Sequence, residues 1–95
     1  MITGHHLHSA DGEDVGEVID VLGGDDLEGP PRWITVKTGW FAQRVVPFEL
    51  VEQRHDGELV TSVTRQTIAE APKVPVHLEP NGDDAAELRR HYALA

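Results

Sequence analysis

A chain of 95 residues, 39% of them hydrophobic, holds one domain with a single small core. No apolar run approaches the roughly 18 residues that span a bilayer, and the opening M-I-T-G-H-H-L-H-S-A lacks the basic start and apolar centre of a signal peptide. The formal charge of -9 argues against direct nucleic-acid binding and against docking on anionic lipid, both of which draw on Lys and Arg. The expectation is a cytoplasmic protein that neither enters the membrane nor binds nucleic acid directly. Residues 1–31 contain no Lys or Arg, so the charge is concentrated there. Solubility is the simpler reason for it, and a docking face for a basic partner around Asp25, Asp26 and Glu28 the more specific one. With no cysteine in the chain, disulfides and thiolate sites drop out.

The stretch from Val15 to Phe48 carries the strongest strand signals, being rich in β-branched and aromatic residues and punctuated by Gly, Asp and Pro. Ahead of it, His5 to Ser9 predicts a first strand ended by Asp11-Gly12. Val15 to Leu22 predicts a second, apolar on both faces, with Gly16 marking a bulge or a close backbone approach. A polar loop then ends in Pro30-Pro31. Trp33 to Thr38 predicts a third strand, with Ile34 and Val36 on one face and Trp33, Thr35 and Lys37 on the other. After Gly39, a fourth strand is expected from Trp40 to about Val46, at an edge because Pro47 cannot donate to a ladder. A bent continuation to Gln53, the turn His55-Asp56-Gly57 and a strand from Glu58 to Val63 complete the β part.

Thr64 is placed to cap one helical turn from Arg65 to Ala71, stopped by Pro72. Pro72, Pro75 and Pro80 keep the next segment extended. From Gly82 the period changes. Asp83 and Asp84 suit a helix start, while Arg89, Arg90 and His91 suit its end. Ala85, Leu88 and Tyr92 then share one face of a short amphipathic helix.

In this order the pieces resemble the PRC-barrel family, the small β-barrels named after the H subunit of the photosynthetic reaction centre. The resemblance rests on Gly16-Glu17-Val18-Ile19-Asp20, Pro31-Arg32-Trp33, Gly39-Trp40-Phe41, Val46-Pro47, Ala71-Pro72 and the tail Glu87 to Tyr92. It covers residues 4 to 92, and its order and spacing carry it more than any single piece. Ala42 departs from the glycine that members often have after the phenylalanine, and the loop from Phe41 to Val46 is short. The resemblance implies a non-catalytic module that binds other macromolecules, and some stand-alone members form oligomers. In a ribosome-maturation factor, a similar domain engages a small-subunit ribosomal protein.

The chemistry legible in the residues is sparse. The chain contains no G-x-S-x-G, P-loop, G-x-G-x-x-G or H-E-x-x-H. Asp20 interrupts an apolar strand and is read as a structural acceptor of backbone hydrogen bonds. His6 and His8, two apart on a strand, share a face and make half of a metal site. Neither His77 nor His91 stands at a spacing that supplies the third ligand, so exposed terminal histidines are the reading adopted. Of the two tryptophans, Trp33 and Trp40, one is expected in the core and the other at a barrel end beside Phe41, as a protein-contact anchor; the simpler alternative places both in the core.

The sequence therefore predicts a mainly β fold, a small PRC-type β-barrel of five to six strands over residues 1–80 with a helical tail over 81–95. The expected function is non-catalytic protein binding or scaffolding, without cofactor or metal, in a self-associating C2 homodimer. Trp40, Phe41, Leu88 and Tyr92 are the expected protein-interaction residues. Leu88 and Tyr92 are expected against an apolar patch, with Trp40 and Phe41 as its candidate members. Two other classes stand beside this reading, an accessory to ribosome maturation or RNA metabolism acting through a ribosomal protein, and a metal- or ligand-responsive sensor.

Overall fold

Short β-branched runs separated by tight turns give the chain its sheet. In the computed structural model, which describes residues 2–23 and 31–94, six strands form: β1 (His6–His8), β2 (Asp14–Leu22), β3 (Trp33–Lys37), β4 (Gln43–Pro47), β5 (Val51–Gln53) and β6 (Leu59–Thr61). Two helices follow, α1 (Arg65–Ala69) and α2 (Gly82–His91). The fold is mainly β with a short C-terminal helix, as expected. The acidic docking face proposed at Asp25, Asp26 and Glu28 lies outside the described residues.

The strand order is β4-β3-β2-β1-β6-β5. Every pairing is antiparallel except β1 with β6, which run parallel, so the last long crossover brings the chain back beside its beginning. Among the described residues no ladder joins β4 to β5; a single 3-10 turn, Phe48–Leu50, connects these two edges. The closure expected of a barrel is therefore not made by hydrogen bonds at this seam.

Gly16 shows why glycine is required on β2. Its φ is +147°, and a Cβ there would stand 1.9 Å from the Lys37 carbonyl oxygen. The β1–β2 register slips beside it, with Leu7 opposite Gly16 but His8 opposite Asp14. Bulge and close approach thus occur together.

The third strand has the two faces read from the sequence, and both are largely buried. Ile34 and Val36 are buried, but so are Trp33 and Thr35 on the opposite face. The proline-rich segment covers that second face: Val74 and Val76 pack on the core, and Thr35 Oγ1 donates to the Val76 carbonyl at 2.6 Å. The fourth strand begins later than expected. Residues 38–42 form a turn closed by Thr38 N–H donating to the Ala42 carbonyl at 2.9 Å, and pairing starts only at Gln43 opposite Lys37.

Both helices close the core. Thr64 Oγ1 accepts from the Thr67 N–H at 3.2 Å, and α1 buries Ile68. Asn81 Oδ1 accepts from the Asp84 N–H at 3.0 Å, with Asp83 and Asp84 in the first turn of α2 and Arg89, Arg90 and His91 in the last. Charges of those signs at those ends oppose the helix dipole. Leu88 is fully buried and Tyr92 nearly so, against the chain's own core. An Arg89–Glu49 ion pair at 2.7 Å fastens α2 to the 3-10 turn.

Candidate functional site: an aromatic tip and its flanking clefts

The β3–β4 turn is short, and its backbone hydrogen bond holds both ends together, so the two residues at its apex have no core to reach. Trp40 is 89% exposed and Phe41 102%. Trp33, paired with Pro47 at the far end of the same hairpin, is only 6% exposed. The division of labour between the tryptophans is thus resolved, with Trp33 in the core and Trp40 at the tip.

Two adjoining depressions flank this tip and share Thr38 and Arg65. One lies beside Trp40 and runs over the bare backbone of Gly16 towards Lys37 and the His6–Asp14 pair. The other, about 470 Å³, lies between the turn and α1 and is lined by Arg44, Arg65, Asp11 and Glu13 among others. Arg44 is held in place, its Nε donating to the Ala69 carbonyl at 3.2 Å and its Nη1 to the Gln43 carbonyl at 2.8 Å. Arg65 is looser, half exposed and 3.7 Å from Glu13.

Leu88 and Tyr92 are not part of this surface. They were expected against an apolar patch with Trp40 and Phe41 as its candidate members; they are buried, but against the sheet at β4. The Tyr92 hydroxyl donates to the Val45 carbonyl at 3.0 Å. Burial pushes the Tyr92 phenol well above its ordinary range, with the nearby Arg44 guanidinium working in the opposite direction. The edge strand that Pro47 implied is real, but this chain's own helices cover it, through Arg44 to Ala69 and Tyr92 to Val45. It does not call for cover from a second copy.

Four of the six histidines lie close to a polar group of another residue. His6 Nδ1 lies 2.9 Å from Asp14, and His8 Nδ1 lies 3.4 Å from Glu58 without hydrogen-bonding geometry. His77 stands 3.5 Å from Asp20, and His91 Nε2 donates to the Thr67 carbonyl at 2.7 Å. Among the described residues no group of three or more His, Cys, Asp or Glu is placed to hold a metal ion. Asp20 accepts from the Val21 N–H at 2.9 Å, in keeping with the structural reading. Sequence reasoning missed the clefts, because Arg44, Arg65 and Glu13 come from three distant elements.

No protein-family model matches the chain, and neither does any curated protein. Among the described residues no helix is long and apolar enough to cross a membrane.

Proposed function

We propose that this chain is a non-catalytic, cytoplasmic module of the PRC-barrel type that binds and scaffolds proteins, associates with itself as a homodimer, and does so through the Trp40–Phe41 tip. The carrying observation is the pair of adjacent aromatic side chains standing almost wholly in water. Aromatic residues carry a large apolar area and little conformational entropy, which makes them the usual energetic centres of protein interfaces. A turn fixed at both ends presents them without further ordering. The family reading rests on the sequence resemblance at Gly16 to Asp20, Pro31 to Trp33, Gly39 to Phe41, Val46-Pro47 and Ala71-Pro72. The acidic balance favours a protein partner over nucleic acid.

Light scattering coupled to size exclusion tests the self-association. A dimer at micromolar concentration is expected. A monomer across that range would remove the homodimer from this reading.

A further inference from the structure

We infer that the cleft between the β3–β4 turn and α1 is the receptor for Trp40 of a second copy, so that two chains exchange their tips about a two-fold axis. The inference rests on the self-association proposed above and names its surface.

The chemistry of the cleft matches an indole. An indole offers a π face that attracts guanidinium groups and an N–H that needs an acceptor. Arg44 presents a guanidinium plane already fixed by two carbonyls, so no side-chain freedom is lost in stacking on it. Asp11 and Glu13 also line the cleft; Ser9 Oγ donates to Asp11 Oδ1 and Arg65 lies 3.7 Å from Glu13, and the second oxygen of each carboxylate is the acceptor for the N–H. A volume of about 470 Å³ lies within the roughly 300–1,000 Å³ of ordinary ligand clefts.

Placement argues for a second copy as the occupant. Thr38 and Ala42 line the cleft and are also the two ends of the turn that bears Trp40 and Phe41. Donor and receptor therefore lie side by side on one face. An isologous interface requires this arrangement, in which the same patch supplies both halves of each contact. The chain cannot satisfy its own cleft, because the closed turn holds both aromatic rings out in solvent.

Complementation between two variants provides the test. A tip variant carries Trp40→Ala and Phe41→Ala, and a cleft variant carries Arg65→Ala and Ala69→Gln, which removes a cation and fills the floor. All four positions are exposed, and circular dichroism melts should match the wild type. Each variant alone should dimerise at least about thirtyfold more weakly than wild type, as loss of an interface hot spot does. An equimolar mixture should recover part of the dimer, since one intact tip then meets one intact cleft. In wild type, tryptophan emission should shift to the blue with rising concentration as Trp40 leaves water, while the buried Trp33 stays constant.

A wild-type dimer that survives either variant, or a mixture that recovers nothing, overturns the tip exchange and leaves self-association standing. A wild-type monomer overturns both. Loss of dimer in the tip variant alone points to a different receptor for the same aromatics and equally overturns the inference.

Discussion

Replacing Tyr92 by Phe isolates a single buried hydroxyl. That hydroxyl donates to the Val45 carbonyl at 3.0 Å and ties the end of α2 to the edge of the sheet. A buried hydrogen bond is worth about 0.5–1.5 kcal/mol, and stranding its acceptor raises the cost towards roughly 2 kcal/mol. At about 4–8 °C per kcal/mol for a domain of this size, the melting temperature should fall by roughly 5–15 °C at neutral pH. The pH dependence adds a second readout. The folded phenol is raised above the unfolded value of 10.0 by burial. Its stabilising contribution is therefore complete below pH ~10 and is lost as pH rises from there towards the folded value, because only the unfolded chain then releases the proton. The wild-type advantage over Tyr92→Phe should narrow above pH ~10 by up to about 1.4 kcal/mol per pH unit. Tyr92 is the only tyrosine of the chain, so tyrosinate absorbance reports this group alone. Tyrosinate forming with a midpoint near 10 while the far-ultraviolet spectrum stays native would refute the burial on which all of this rests.

Three further substitutions probe other contacts. Leu88→Ala deletes a fully buried side chain where α2 meets the core, and urea denaturation should show a loss of about 2–5 kcal/mol. Gly16→Ala drives a Cβ into the Lys37 carbonyl from a backbone conformation that side chains avoid; a loss of at least about 1–3 kcal/mol is expected, with faster hydrogen exchange along the β2–β3 ladder. Thr35→Val keeps the shape but strands the Val76 carbonyl. Equilibrium unfolding should register about 1–3 kcal/mol, and limited proteolysis should cut sooner between residues 72 and 80.

Local rules carried the elements whose signals are local. Thr64 caps its helix because a side-chain acceptor three residues before an unpaired N–H needs no tertiary help, and Asp83 and Asp84 marked the start of the second helix by their charge alone. Gly16 was legible as a close approach because an interior strand glycine has few other uses. What escaped depends on long-range placement. The face that holds Thr35 is buried because a segment about forty residues later crosses it, and three prolines leave no periodic pattern to announce that crossing. The parallel pairing of Leu7 with Leu59 is equally silent, since neither strand carries a mark of its partner. The start of the fourth strand was misplaced for a different reason. Trp40 and Phe41 have high strand propensity, and propensity scores burial on a pleated surface that a tight turn never provides. The same mismatch between residue type and position is what identifies the tip as a candidate site.

An open sheet has two edges, and their treatment bears on where contact with another chain is made. The β4 edge is occupied from within: Arg44 is anchored to α1, and Tyr92 caps the Val45 carbonyl from beyond α2. The β5 edge is three residues long and carries Glu52 and Gln53 exposed beside Val51, the short and polar form that resists strand addition. Edge-to-edge pairing is thus disfavoured at both ends of the sheet. The helix face that looked amphipathic in sequence is consumed by the core through Leu88 and Tyr92. Among the described residues, the large apolar side chains still facing water are Val21, Leu78 and the adjacent pair Trp40 and Phe41. Val21 is only about a third exposed, and Leu78 stands alone on the proline-rich segment. Two aromatic rings on one closed turn, beside a cleft lined by guanidinium groups and carboxylates, are the one adjacent pair of exposed large apolar side chains among the described residues. The internal covering of β4 and the outward tip follow from one feature, the β3–β4 hairpin: its strands are committed to the sheet and helices, and its turn is too short to fold its aromatics back.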